Sequence, residues 1–465
     1  MLDARGDEVC RINSKDELDC RAMKNAADRY SPARTPWWMA PHALAPLIML
    51  PLLTAAWIVP VQFHWELGRF AKFMTFNLYL LGLGGVLFFA LGSFLASAST
   101  GDPAGRPLAT MAESRVFPRF MTYTCWTLWA ISVAAYAIWF MPVARNPSLL
   151  IAVLSGRGAE LGIRDMIGTI PGVTTLVQAQ VVYVTLIGVR SFCLPSLRPN
   201  RLEFVALLAI VFLALIRNVI WSERLAVIEI VIPLAILYLR RPRFPRLTAL
   251  MPMFGAMGLF GFFSIFEYFR SWSAYYKYQY DNFFVFILAR FSGYYITALD
   301  NGAGLVRDWG GIGAPLNTAE WYWQFPWEIG QTYMSKLLGL RILDYNAWLF
   351  WNATEEFNNP SGIYMPIVDF GPAGGLVFLF LFGLLTGYIY RSFVRGTFAG
   401  LIIFPSWFIG VLELPRIHYL FNTRYFPIIM ICLALIFLVS VVLGEERWQS
   451  NVHTPSNEFR GHRPL

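Results

Sequence analysis

Long apolar runs recur along the whole of this 465-residue chain, and they constrain its fold more than any motif does. Stretches such as VFLFLFGLLTGYIY (377–390) and LALIFLVSVVLG (433–444) sit in runs near the roughly 20 residues a helix needs to cross hydrocarbon. Lipid offers no partner to a backbone amide, so such runs must close their hydrogen bonds internally as helices. Spans are expected near 40–60, 73–97, 117–141, 173–192, 202–221, 224–239, 248–269, 372–391, 397–413 and 425–443. The fold class is therefore all-α, a polytopic transmembrane bundle of ten helices, or eleven if the run at 283–299 also crosses.

Composition agrees with that class. Hydrophobic residues make up 57% and charged residues 14% of the chain, against about 25% charged in soluble proteins. The net charge of +8 does not point to nucleic acid, because no basic stripe interleaves with aromatics in a soluble segment. Five cysteines form no CxxC pair and five histidines are scattered, so neither a disulfide framework nor a metal centre is indicated. The N-terminal stretch is polar and of mixed charge, without the apolar core of a signal peptide.

Lysine and arginine in the connections set the orientation. With the N-terminus inside, 22 of the 37 basic residues fall on the cytoplasmic side, including the dense LRRPRFPR at 239–246. Letting 283–299 cross would move RSFVRG (391–396) outside, and Arg290 would lie mid-span. That run is accordingly read as an interfacial or re-entrant helix. The resulting division is a disordered cytoplasmic tail at 1–39, seven spans in 40–269, a long outer loop at 270–371, three spans in 372–443, and a cytoplasmic tail at 444–465. A loop of that length tends to be functional.

Charge inside the apolar pattern marks the candidate site. IRNVIWSERLAVIEI (216–230) places Arg217, Glu223, Arg224 and Glu229 between two apolar runs, where ionisable groups are costly and usually functional. The plainer reading is a short hairpin whose arginines snorkel to headgroups. Glu229 lies about a turn further in and suits an arginine partner on another span. Arg270, Arg290, Arg416 and Arg424 fall on the same expected face. Arginine stays charged and binds phosphate in a bidentate manner, so a basic vestibule suits an anionic lipid headgroup.

The outer loop supplies aromatic rings, as in AEWYWQFPWE, where Trp321, Tyr322 and Trp323 could stack on sugars or belong to an interfacial belt. Beyond it, Asp369 or Gly371 can cap a helix that has Pro372 in its first turn and Gly374 and Gly375 beside it, a potential anion site. Gly383 and Gly387, deeper in the same run, read equally well as close-packing positions.

Arginines beside ring-binding surfaces suggest a lipid-diphosphate-linked sugar as substrate. Their charge would stabilise a departing diphosphate, and Glu223, His418 or Asp369 would act as general base. Glu223 could instead orient Arg224. The outer segments contain no DxD or ExD pair, so no metal or other cofactor is indicated.

With these residues in view, the chain resembles the oligosaccharide repeat-unit polymerases, the O-antigen polymerase (Wzy-type) family. The similar features are the span layout, the long outer loop, the RxxxxSERL hairpin at Arg217–Leu225, and IVDFGPAGGLVFLFLFGLLTGYIYR after the loop. The resemblance implies a GT-C-like glycosyltransferase of the bacterial inner membrane, metal-independent and with both termini cytoplasmic. It would polymerise undecaprenyl-diphosphate-linked repeat units on the periplasmic side, with membrane lipids around it and a chain-length regulator protein as a further partner. Arg217 and Arg224, and more weakly Arg290, would carry the diphosphate role, while Arg270 and Arg416 have no clean motif match. An O-antigen ligase-like transferase, or a transporter or flippase of lipid-linked glycans, remains the alternative.

Overall fold

The computed structural model describes residues 33, 35–66, 71–100, 107–146, 148, 151, 170, 172–221, 225–241, 244–311, 317–319, 345–354 and 356–452. Among these residues the regular structure is helical, apart from one isolated β-bridge between Pro107 and Thr397. Setting short turns aside, the helices are α1 (Pro41–Ile58), α2 (Phe76–Ala98), α3 (Phe117–Arg145), α4 (Val173–Cys193) and α5 (Arg201–Trp221). They continue as α6 (Leu225–Leu239), α7 (Met251–Glu267, running into a π-helical Tyr268–Tyr276), α8 (Phe283–Trp309) and α9 (Tyr345–Asn352). The last three are α10 (Met365–Arg395), α11 (Phe398–Glu413) and α12 (Phe426–Val452).

Among the described residues, eight helices are long and apolar enough to cross a bilayer: α1, α2, α3, α4, α7, α8, α10 and α12. The molecule is a multi-pass helical membrane protein. α6 and α11 are equally apolar but shorter. Local sequence explains several of the helix ends. Thr75, Asn282 and Thr397 accept from the backbone N–H three residues on, at 3.3, 3.0 and 3.1 Å. Asn200 and Glu203 cap each other reciprocally at the start of α5. Gly396 ends α10 with φ 74°, the left-handed conformation glycine adopts freely.

The closest packed pair is α2 against α10. A Cβ added to Gly383 or Gly387 would run into the carbonyl oxygens of Phe89 or Ser93, so the glycines permit backbone contact. α4 occupies the centre, packed by α3, α6, α11 and α12. Its ten residues from Ala179 to Gly188 are all buried, as expected for a helix apolar all round. α7 is peripheral and mostly uncovered.

Hydrogen bonds define the two ends of the bundle. At one, Arg240 donates to the carbonyls of Phe393 and Val394, both at 2.9 Å, Ala33 N donates to Val394 O, and Arg391 to Ser99 O. At the other, Lys72 Nζ caps the last turn of α1 through Trp57 O (2.5 Å) and Val59 O (2.6 Å). Ser361 N and Gly362 N donate to the carbonyls of Arg416 and Leu414 there, both at 2.9 Å.

Two segments differ from the pattern read in the sequence. The run at 283–299 is part of a longer helix, α8, which Asn282 caps and which continues to Trp309. From Arg290 to Gly311 the partners of this segment belong to the second end: Glu356, Phe73, Met74, Phe357, Asn359 and Val368. The expected helix start at Pro372 is instead a restart. α10 begins at Met365, breaks at Gly371 (φ 73°, ψ 175°) and resumes at Pro372. Proline disfavours a helical residue before it, and Gly371 takes up a conformation that a side chain would strain.

Candidate functional site

The site residues read from the sequence fall into three groups. Glu223, Arg224, Trp321, Tyr322 and Trp323 lie outside the described residues. Arg270 has its backbone in the π-helical turn that ends α7. Arg217, Arg290, Asp369, Arg416 and His418 are described, and all sit toward the second end of the bundle.

Arg217 lies toward the C-terminal end of α5, only 3% exposed. Its guanidinium stacks 5.0 Å from the Trp139 ring centre on α3, a cation–π geometry. Beside it, the Tyr136 hydroxyl donates to Gln180 Oε1 on α4 at 2.8 Å. Glu229 is fully buried and receives Arg424 in bidentate fashion, Nε to Oε1 at 2.5 Å and Nη2 to Oε2 at 2.8 Å. The Tyr419 hydroxyl donates to the same carboxylate. The arginine that Glu229 called for is thus Arg424, in the connection between α11 and α12.

Arg290 is held differently from a ligand-binding arginine. Its Nε lies 3.2 Å from Glu267 and its Nη1 bonds Glu356, while the Tyr276 hydroxyl donates to Glu356 at 2.8 Å. Aromatic rings enclose the guanidinium, with the Phe357 and Tyr276 centres at 5.0 and 5.2 Å. Two carboxylates neutralise its charge, so this arginine ties α7, α8 and the 356–357 turn together. Arg416 pairs with Glu413 at 2.8 Å and retains about a quarter of its side-chain exposure. Burial alone would lower the pKa of Arg416, but Glu413 and the nearby Tyr294 and Tyr295 outweigh that and raise it.

Neither His418 nor Asp369 offers an open base. The imidazole of His418 is buried among Phe421, Phe382 and Phe378, with ring centres at 4.7, 5.1 and 6.0 Å. Neither ring nitrogen has a hydrogen-bond partner, and desolvation lowers its pKa to about 3. Such an imidazole is neutral at any ordinary pH and weakly basic. Asp369 does not cap the helix that resumes at Pro372. Its carboxylate accepts from Asn317 N at 3.0 Å, Asn317 Nδ2 at 2.7 Å and Thr318 N at 2.7 Å. These bonds, with Gly311 N to Val368 O, hold Gly311, Asn317 and Thr318 against the segment of α10 that precedes its break.

Other polar centres at this end were not singled out in the sequence. Asp300 accepts from Phe73 N (2.9 Å) and Met74 N (2.6 Å), and its second oxygen lies 3.9 Å from His64. Desolvation lowers the pKa of Lys72 and nearby Asp300 partly counters it. Arg307 and Asp308 form a surface pair near the end of α8. The available signal was a carboxylate, Asp300, following the apolar run of α8. Among the described residues, no group of three or more His, Cys, Asp or Glu is placed to hold a metal ion.

Chemically, this end combines deeply held guanidinium groups with a partly open one at Arg416. Comparison with protein-family models, with curated proteins and with solved structures finds no match for this chain.

Proposed function

We propose that the protein is a membrane glycosyltransferase that polymerises lipid-diphosphate-linked oligosaccharide repeat units into a surface polysaccharide. The observation carrying this reading is the convergence of arginines from separate segments at one end of a membrane bundle: Arg217 from α5, Arg290 from α8, and Arg416 and Arg424 from the α11–α12 connection. Arg290, Arg416 and Arg424 each hold a carboxylate, and the diphosphate role is assigned to Arg217 and Arg224, the two arginines of the hairpin that carries the resemblance. Guanidinium groups held in advance at a developing phosphate charge need no reorganisation during the reaction.

In this reading the undecaprenyl diphosphate lies against Arg217 and leaves as the acceptor hydroxyl attacks the sugar. With His418 enclosed by rings and Asp369 occupied by backbone donors, Glu223 is the base that takes the hydroxyl proton. The string of contacts that α8 makes at one end supports a helix lying along the membrane surface rather than across it. The test is substitution of Arg217 or Arg224 by Ala in a polysaccharide-producing strain of a Gram-negative bacterium carrying this chain. Membrane levels should stay normal while long polymer disappears and single repeats accumulate. A normal chain-length ladder in both variants would overturn the reading.

A further inference from the structure

The end of α8 and the short helix α9 build a surface that the diphosphate chemistry does not use. Arg307 and Asp308 pair side by side, Nε to Oδ1 at 2.7 Å and Nη2 to Oδ2 at 3.1 Å. Trp348 of α9 donates its indole N–H to Asp308 Oδ2 at 2.9 Å. Behind them Phe73 packs on Trp348 at 5.3 Å and lies 4.8 Å under the Arg307 guanidinium. The charged pair stays accessible, with Arg307 50% and Asp308 30% exposed. One turn further along α9, Trp351 is 80% exposed and its neighbour Phe350 is 67% exposed. Residues three apart lie along one side of a helix, so Trp351 follows Trp348 along the side of α9 that meets Asp308.

We infer that this surface is a binding subsite for a sugar ring of a glycan chain. Sugars present an apolar C–H face and a rim of hydroxyls that both donate and accept. Trp351 offers a flat ring for the first, and the Asp308–Arg307 edge offers an acceptor and donors for the second. Other occupants fit less well. A phosphate headgroup meets a guanidinium whose charge Asp308 already cancels, and an apolar partner would bury two charges without replacing their water. The subsite lies at the same end of the bundle as Arg217 and Arg416, so it would hold the glycan while the diphosphate lies elsewhere. In that assignment it rests on the glycosyltransferase reading.

The experiment is saturation-transfer NMR on the full chain in nanodiscs, titrated separately with chitohexaose, maltohexaose and hexagalacturonate. At least one should bind, and Trp351→Ala should weaken it by about fivefold to tenfold, the loss of one aromatic contact. Asp308→Asn should also weaken it, whereas Trp37→Ala, which removes an exposed ring at the opposite end of the bundle, should leave binding unchanged. Absence of binding by all three sugars, or equal binding by wild type and Trp351→Ala, would overturn the subsite. The two proposals fail separately. Normal polymer in Arg217→Ala with sugar binding lost in Trp351→Ala removes the diphosphate assignment and leaves the subsite standing.

Discussion

Single side chains at the arginine-rich end of this bundle are costly to disturb because they are buried in pairs. Removing the carboxylate of Glu229 leaves the Arg424 guanidinium without the bidentate partner it has at 2.5 and 2.8 Å. Glu229→Gln should therefore destabilise the protein by about 3–5 kcal/mol, read as a lower unfolding temperature in detergent. A Glu229→Met/Arg424→Met double variant should recover much of that loss, since two apolar side chains replace the pair together. Additive losses would contradict the coupling. His418 makes a pH prediction. Its folded pKa of about 3 lies below the ordinary value of 6.5, so its contribution is complete above pH 6.5 and declines as pH falls toward 3. Between pH 7 and 5 this costs about 2 kcal/mol, and His418→Phe should remove that part of the acid sensitivity, read as a flatter dependence of unfolding temperature on pH. The sequence already marked Glu229 as a charge in an apolar run and His418 as a candidate base in an outer loop. It could not reveal most of their neighbours, because Arg424, Phe378 and Phe382 come from distant segments that only packing brings together.

Among the elements, the α2–α10 contact and α7 make a controlled comparison. Gly383 faces the α2 backbone, whereas Gly255, Gly258 and Gly261 of α7 have open space around them. Gly383→Leu should lower the folded fraction sharply and Gly258→Leu should not, measured by monodispersity after mild detergent extraction. Equal outcomes would show that the two helices do not pack through that face. Helix positions were legible in the sequence because apolar runs and caps are local signals. α8 was harder, since its run carries Arg290 and Asp300, whose partners are Glu267, Glu356 and the backbone at 73–74. Paired charges let a helix stay apolar in effect while looking interrupted in sequence. The break at Gly371 was legible as a helix boundary, but the preceding turn from Met365 was not, because nothing local distinguishes a start from a restart.

For the whole molecule, α8 separates two arrangements that hydropathy alone leaves equivalent. If it lies along the surface, cysteines placed at Lys277 before its start and at Arg307 near its end should react from the same side of intact cells with a membrane-impermeant maleimide. Labelling from opposite sides would make it a crossing helix and reverse the sidedness of the segment between it and α10. The central position of α4 carries a different consequence, one for biosynthesis. Every residue from Ala179 to Gly188 is covered in the finished protein, partly by α11 and α12. Those two helices emerge from the ribosome roughly two hundred residues later, a delay of about 10–40 s at ordinary elongation rates. Through that interval α4 must face lipid, an insertase or an incomplete set of neighbours, so the last two helices close the bundle and their truncation should leave a nascent protein that quality-control proteases recognise.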